Sequence, residues 1–447
     1  MKAFVGVRRD PVERRIENAF QPGRFIPDRA AFSFIRELEE VSKEIEGLLE
    51  SDPVRAAGLF EAFLAGCQAK AEEMDDSGAS LCDFATELCR DWIVARQAAG
   101  GVPEETAFKL LAWMDRDDYC LLSNLVEEAA GVLDKAGAKA LEQEMRTRFE
   151  TEALPDVASK GGGPEYQHRR WAEALRTFHL RRKAVAPYIS IAEQSGVTEK
   201  DCHAVAVMLH SRGKFGEALV WVEKGIHLGR KSVDGWTSNH DLSLLKRWLM
   251  AKLKRGDEAL EDAWFEYQRH PNLYTYQELM KYVPMRDREI WHEKAMGAIK
   301  DGDLSSLVEL FLRTGEIRRL TGLVERSSDA ALEMESHYTL GPVAKKLEKS
   351  HPGLAARLWK AQGMRILNAQ KSKYYDAALE NLEAAMRCYG KAVLGSEWEK
   401  AIARIRAEHH RKGAFMPGFE ALLVGKGPSK RPTFLEAAKA RWSGTRV

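Results

Sequence analysis

The chain has 447 residues, which is more than one compact core usually holds, so we expect two or three domains or one elongated repeat array. Its 68 Lys and Arg residues balance 67 Asp and Glu residues. This balance excludes a net field that would draw the whole chain to nucleic acid or to an anionic membrane. Any such attraction must be local.

The N-terminal segment, MKAFVGVRRDPVERRIENAF, has only a short apolar run before Arg8 and Arg9, too short for a signal-peptide core. No later stretch approaches the roughly 20 uninterrupted apolar residues of a membrane-spanning helix. We therefore expect a cytoplasmic protein that does not enter the membrane. We predict that residues 1–27 form an N-terminal arm.

Residues 28–153 are predicted to form an N-terminal helical block. Apolar residues recur there at helical spacing, and alternating β-branched strand patterns are missing, so the predicted fold class is all-α. The clearest stripe in this block comprises Leu81, Phe84, Ala85, Leu88, Cys89, Trp92 and Ile93.

Two adjacent aspartates, Asp75 and Asp76, lie in the stretch AKAEEMDDSGASLCDF between two helical segments. On a loop they could share a cation, but the alternating oxygen ligands of a helix-loop-helix calcium site do not follow. Ser80 followed by Asp83 is typical of a helix N-cap with an acidic first turn. We predict a turn and cap here, with ligand binding as the alternative.

Three consecutive glycines flanked by prolines mark residues 154–168, within LPDVASKGGGPEYQHRR. This composition predicts a flexible linker after the helical block, or an extended loop within one array. A phosphate-binding glycine loop is the other interpretation, but neither a preceding strand nor a following Lys-Ser/Thr is present.

A run of basic residues, HRRWAEALRTFHLRRK, follows the glycines. Its cations are Arg169, Arg170, Arg176, Arg181, Arg182 and Lys183. Basic side chains between aromatic ones can hold phosphates and stack bases. However, Trp171, Ala174, Leu175 and Phe178 follow helical spacing, so we predict that the aromatic residues face the core and that the cations form a solvated or ion-paired face.

Residues 169–424 are predicted to form a tetratricopeptide-like repeat array. In CHAVAVMLHSRGKFGEALVWVEKGIHLG, Gly213 makes the turn, Ala218 and Gly225 allow close helix approach, and Val222 packs between helices. Similar turns recur at irregular separations. The predicted architecture is an α-solenoid of antiparallel helical hairpins, a degenerate tetratricopeptide-like superhelix. Residues 425–447 are predicted to form a basic linker and a short C-terminal helix.

The sequence indicates no cofactor or metal. Its six cysteines include no CxC or CxxC pair, and no nucleophile elbow, HExxH, kinase or dinucleotide pattern occurs. We therefore assign no catalytic, cofactor-binding or metal-ligating residue and expect no enzymatic activity.

Three stretches carry a family resemblance: DDSGASLCDFATELCRDWIVA followed by MDRDDYCLLSNL; RGKFGEALVWVEKGI; and SHPGLAARLWKAQGMRILNAQKSKYYDAALENLEAAMRCYG running to IRAEHHRKGAFMPGFEALL. With them, residues 36–423 resemble an uncharacterised bacterial family of α-helical proteins related to the helical regions downstream of SWIM-type zinc fingers. The resemblance implies a helical repeat fold and no catalytic residues. A SWIM finger needs a CxC pair and a later Cys-x-His, and the sequence has neither.

Stacked hairpins expose long surfaces that read peptides or helices, so the sequence favours a non-catalytic protein-interaction scaffold with a protein partner. Two alternatives remain open. One is a nucleic-acid-associated protein that uses the basic helix 169–183, and the other is an enzyme or ligand sensor with an acidic site near residues 75–76.

Overall fold

The computed structural model describes residues 10–117, 119–152, 164–230, 236–299 and 302–425, together with residues 439 and 442. Within these residues all regular secondary structure is helical, and the predicted all-α fold is confirmed. The one isolated β-bridge described joins Ile26 to Met74. The chain divides into two compact units, residues 1–253 and 254–447.

The first unit contains twelve described α-helices. They are α1 (Pro11–Ala19), α2 (Asp28–Glu46), α3 (Pro53–Ala71), α4 (Ser80–Ala98), α5 (Pro103–Asp115), α6 (Leu125–Val132), α7 (Lys135–Glu152), α8 (Pro164–Arg181), α9 (Val185–Ser195), α10 (Glu199–His210), α11 (Phe215–Gly229) and α12 (Trp236–Lys252). Helices α1, α3 and α5 begin at a proline, which suits the first helical position because its missing N–H would have no intrahelical partner there.

Many successive helices pair as antiparallel hairpins, most extensively α10 with α11, α3 with α4, and α11 with α12. One continuous core runs from Ile16 in α1 to Ile191 in α9. It contains the whole predicted stripe of α4, including a fully buried Trp92. Burial of such large apolar side chains supplies most of the stability of a helical array.

Two predicted segments lie partly beyond the described residues. Within the segment predicted as an arm, Ile16 and Phe20 are buried in the core, and α1 packs against α2 and α3. Residues 153–163 of the predicted glycine-rich junction lie outside the described residues. Core side chains occur on both sides of this junction, on α7 and α8.

The hairpin of α10 and α11 has the predicted tetratricopeptide-like packing. Gly213 adopts a φ of +73°, which favours glycine, and so it makes the turn. Ala218 and Val222 are fully buried. A Cβ at Gly225 would lie 2.8 Å from the Cβ of Cys202, so only glycine allows the two helices to approach this closely.

The second unit contains eleven described α-helices and two 3₁₀ helices, Met285–Asp287 and Ser372–Tyr374. The α-helices are α13 (Gly256–Arg269), α14 (Leu273–Tyr282), α15 (Arg288–Ala298), α16 (Leu304–Thr314), α17 (Ile317–Arg326), α18 (Asp329–Met334), α19 (His337–Leu347), α20 (Pro352–Asn368), α21 (Tyr375–Lys391), α22 (Gly395–His409) and α23 (Met416–Leu423). Apart from residues 439 and 442, the predicted C-terminal linker and helix beyond residue 425 lie outside the described residues.

The pair α20 and α21 is central to the second unit, where it contributes to two apolar clusters. An ion pair and a hydrogen bond connect α18 to α22 and α20. The Arg404 guanidinium holds the buried Glu333 carboxylate through contacts of 2.6 and 3.1 Å, and Asn368 donates a further hydrogen bond to it. Among the described residues, no helix is both long enough and apolar enough to cross a membrane.

Candidate functional site

The segment between α3 and α4 is held in place by backbone hydrogen bonds. The N–H of Ile26 donates to the carbonyl of Glu73 at 2.8 Å, and the N–H of Asp75 donates to the carbonyl of Ile26 at 2.9 Å. The acidic turn therefore begins from a fixed point, because the loop after α1 and the loop after α3 bond to one another.

Asp76 is the residue that caps α4. Its Oδ1 accepts a hydrogen bond from the N–H of Leu81 at 2.9 Å, and its Oδ2 accepts one from the N–H of Cys82 at 3.1 Å. The predicted cap at Ser80 is wrong, because Ser80 is the first helical residue and the N-cap position is Ala79, with a φ of +56°. The left-handed backbone of Ala79 turns the chain so that the Asp76 carboxylate, rather than the nearer Ser80 hydroxyl, reaches the N–H groups of Leu81 and Cys82.

Asp75 has a different role from its neighbour. Its Oδ1 accepts hydrogen bonds from the hydroxyl of Ser77 at 2.5 Å and from the Ser77 N–H at 3.3 Å. These bonds hold the pKa of Asp75 below its usual value. The two carboxylates thus bond to different groups, so the turn and the cap account for both aspartates without a shared cation.

A second acidic turn lies beside the first. Asp117 accepts hydrogen bonds from the N–H groups of Leu121 and Leu122, at 3.0 and 2.7 Å. The Sγ of Cys82 lies 3.8 Å from the carbonyl of Cys120, within this second turn. The two sequence stretches that resemble the family most strongly in this block are therefore packed together.

Helix α8 presents the predicted apolar face to the core. Trp171, Ala174, Leu175 and Phe178 are all buried. Three of the predicted cations, Arg170, Arg176 and Arg182, bond to other helices of the first unit. Arg170 donates to the Met114 carbonyl at 2.9 Å and pairs with Asp115 at 3.2 Å.

Arg176 and Arg182 also bond to neighbouring helices. Arg176 pairs with the buried Asp201 at 3.2 Å and donates to the carbonyl of Gly196 at 2.9 Å. Arg182 donates to the carbonyl of Ala130 at 3.0 Å, at the C-terminal end of α6, where a cation is favoured by the helix dipole. These guanidinium groups therefore connect helices of the first unit.

The other three predicted cations, Arg169, Arg181 and Lys183, are exposed. The guanidinium of Arg181 lies against Gly131, where a Cβ would be 3.3 Å from it. Lys183 has a φ of +53°, and its carbonyl accepts a hydrogen bond from Arg212. The six residues thus do not form one uninterrupted phosphate-binding stripe, because Arg170, Arg176 and Arg182 bond to neighbouring helices.

Lys70 forms a polar centre that the sequence does not reveal. Its side chain is only 2% exposed, and Nζ donates to the carbonyls of Gln21 and Arg24 at 3.1 and 2.5 Å. It also pairs with the Glu73 carboxylate at 2.9 Å, which in turn accepts the N–H of Gly23. The cost of burying this ammonium is offset because Glu73 neutralises its charge and the two carbonyls accept its hydrogen bonds.

A cavity of about 370 Å³ lies directly over this centre, between α1 and α3. We call it the α1–α3 groove. Its floor is apolar and comprises Ile16, Phe20, Ala62, Gly66 and Ala69, while its edges carry Glu13, Glu17 and Glu73. Glu73 already pairs with the buried ammonium of Lys70, so the acidic edge that faces a partner is formed by Glu13 and Glu17 on α1.

A cavity of about 330 Å³ with several charged residues in its lining lies in the second unit. Burial alone would raise the pKa of Asp329 there, but hydrogen bonds from Lys360 and Arg357 outweigh burial and hold that pKa below its usual value. Arg357 also donates to the carbonyls of Val324 and Ser327, at 3.0 and 2.8 Å. Arg357 therefore satisfies backbone carbonyls at the C-terminal end of α17, and Lys360 pairs with Asp329.

The paired helices define the class of this chain as an all-α helical-repeat protein of the α-solenoid type. The chain belongs to a family of unknown function, DUF6880, which matches residues 9–417. No curated protein has significant sequence similarity to it.

Two solved structures show distant similarity. In the structure of Naa15/Naa10 bound to HypK-THB, the matched chain has a TM-score of 0.31 and 12% identity, over 89% of this chain and 63% of that one. This protein therefore spans less than two thirds of that chain. A circular tandem repeat protein with novel repeat topology has a TM-score of 0.18 and 14% identity, over 90% of this chain and 97% of that one. Similarities this distant carry no information about partners.

Proposed function

We propose that the protein is a non-catalytic scaffold that binds a protein partner in the α1–α3 groove. The observation that carries this proposal is the groove itself, an apolar floor with acidic edges on a firmly held pair of helices. Such a floor would bury apolar side chains of a partner and gain free energy in proportion to the area removed from water.

The occupant of this groove is a basic amphipathic helix of the partner. Its apolar residues contact the floor at Ala62 and Ala69, and its Lys or Arg residues face Glu13 and Glu17. A cavity of about 370 Å³ accepts anchor side chains rather than a whole helix, whose diameter is roughly 10 Å. This arrangement is the helix-in-groove mode of recognition.

The groove is firmly held before any partner binds. Lys70 and Glu73 bond to the loop that follows α1, and the Phe20 ring packs edge-on against Phe63 with a centroid distance of 5.3 Å. A site that is already formed loses less conformational entropy on binding. The groove therefore offers a preformed surface to which a partner can bind reversibly.

A matched pair of variants on α3 tests the proposal. Ala69→Arg places a long cation in the groove, whereas Ala65→Arg places the same side chain at an exposed position of α3 that does not line it. Tagged full-length proteins are expressed in the native host, and the proteins captured with each are quantified by mass spectrometry. The proposal predicts a partner captured by the wild type and by Ala65→Arg but lost with Ala69→Arg.

A captured partner must also bind directly. Its basic amphipathic segment, made as a peptide, should bind the purified protein, and Glu13→Arg should weaken this binding while the exposed α2 change Glu40→Arg leaves it unchanged. Equal capture by the Ala69→Arg protein, or a partner without a basic amphipathic segment, contradicts the proposal.

Three expectations from the sequence, on cellular location, on family relationship and on residues 154–168, are also kept as proposals. We propose a cytoplasmic location in a bacterium, which fractionation of the native host tests. The relation to helical regions downstream of SWIM-type fingers stays a prediction of sequence resemblance. We also retain a flexible linker or extended loop at residues 154–168, which limited proteolysis tests by whether the first cut falls there.

A further inference from the structure

Three side chains that could ligate a metal come together in the second unit. They are His292 and Glu293 on α15 and Glu316 immediately before α17, and one ligand atom of each lies within 4.8 Å of the others. His292 and Glu316 are 24 residues apart in the chain, so no local sequence motif announces the cluster.

The imidazole of His292 is oriented from outside the cluster. Its Nδ1 lies 2.8 Å from the hydroxyl of Tyr276 on α14, and its Nε2 faces Oε1 of Glu316 at 3.2 Å. A ligating histidine usually has its second nitrogen held by such a partner, which fixes the tautomer and the ring plane. If Nδ1–H donates to the Tyr276 oxygen, the lone pair of Nε2 points towards the carboxylates.

The separation of the first two ligand atoms suits a tetrahedral ion. Zinc bonds to histidine nitrogen and carboxylate oxygen are both about 2.1 Å long, and a tetrahedral angle then places the two atoms about 3.4 Å apart. The observed separation between Nε2 of His292 and Oε1 of Glu316 is 3.2 Å. An ion can therefore replace the proton between them with little movement of either helix.

The surrounding charges leave room for the third ligand. Arg319 donates to Oε2 of Glu316 at 3.1 Å, so it orients that carboxylate and leaves Oε1 to the ion. The ammonium of Lys294 is held over Trp264 and Trp291, at 4.5 and 3.9 Å from the ring centroids. The Glu293 side chain is exposed, and one of its carboxylate oxygens already lies within 4.8 Å of the other two ligand atoms.

The geometry points to a binding site for a divalent transition-metal ion, with zinc as the best fit, held by His292, Glu293, Glu316 and a water. One nitrogen and two carboxylate ligands select borderline first-row ions over calcium or magnesium, which prefer all-oxygen sites. The bound ion links α15 to the start of α17 and stabilises the second unit, because it binds the folded chain and not the dispersed ligands.

Calorimetric titration of the metal-free full-length protein with zinc chloride tests the site. The wild type should bind one equivalent that His292→Gln and Glu316→Gln each weaken by at least tenfold. Tyr276→Phe removes only the orienting hydroxyl and should weaken binding by about 10-fold to 100-fold. The matched control is Glu289→Gln, an equal charge change on the exposed part of α15, which should leave binding unchanged.

The same variants distinguish this site from zinc bound by thiols, since all six cysteines remain. Zinc should raise the melting temperature of the wild type and of Glu289→Gln, and should not raise that of His292→Gln. The inference is overturned if the wild type binds no zinc, or if His292→Gln and Glu316→Gln bind it as tightly as the wild type. Circular dichroism of each variant confirms that it is folded before titration.

Discussion

Replacement of Asp76 by alanine separates the roles of the two adjacent aspartates. The Asp76 carboxylate accepts two N–H groups at the start of α4, at 2.9 and 3.1 Å, whereas the Asp75 carboxylate bonds to Ser77 within the exposed turn. Loss of a capping side chain costs about 0.5–2 kcal/mol, and the upper part of that range applies because the acceptor is charged and partly buried.

The expected loss for Asp76→Ala is therefore about 1–2 kcal/mol in the free energy of unfolding. It affects the whole first unit, because α4 carries Leu81, Phe84 and Trp92 into the core. For a unit of this size the melting temperature should fall by roughly 2–8 °C. Asp75→Ala should cost less than about 0.5 kcal/mol.

Urea unfolding of the full-length protein, followed by tryptophan fluorescence and circular dichroism, measures both variants. Asp76→Asn is the matched intermediate, because its amide keeps one acceptor oxygen and should retain about half of the stabilisation. An Asp75→Ala protein that is destabilised as much as Asp76→Ala would refute the assignment of the cap to Asp76.

Three further changes test other parts of the account. Gly66→Ala should destabilise the protein by about 1–2 kcal/mol, because the added Cβ would overlap the buried Phe20 ring and this clash outweighs the better helix propensity of alanine. Its control is Gly58→Ala, which has open space around it and should stabilise the protein by up to about 1 kcal/mol in the same urea assay. Burial, with the charge of a nearby glutamate, raises the pKa of Asp91 to about 6, so the free energy of unfolding falls as pH rises from about 4 through 6. Melting curves should show that Asp91→Asn is more stable than the wild type by about 1 kcal/mol at pH 7.5, after allowance for solvent screening. The two proteins should not differ near pH 4. Arg182→Ala should cost about 1.5–3 kcal/mol in urea, because it leaves carbonyls at the end of α6 without their charged donor; an unchanged midpoint would mean that this cation is not structural.

The helical fold was predictable because its signals are local. The stripe from Leu81 to Ile93 follows the period of one helix, and all of its predicted members are buried. The hairpin around Gly213 needs only one left-handed turn and small residues at the crossing, and both are visible in a short stretch of sequence. Local periodicity therefore suffices to assign the elements and their inward faces.

The polar contacts depend on distant parts of the chain and were less predictable. Ser80 was a good cap by residue type, but the φ of Ala79 gives that role to Asp76. The partners of Arg182 belong to α6, about fifty residues earlier, and those of Lys70 belong to the loop after α1. No spacing rule could identify such pairs, because each depends on how helices pack.

Hydrogen–deuterium exchange on the full-length protein, with and without its captured partner, tests the proposed function most directly. A partner bound in the α1–α3 groove should protect backbone amides in residues 11–22 and 62–73, the two segments that line it. The Ala69→Arg protein should lose this protection while Ala65→Arg keeps it. Protection confined to residues outside these two segments, unchanged by Ala69→Arg, would contradict the account.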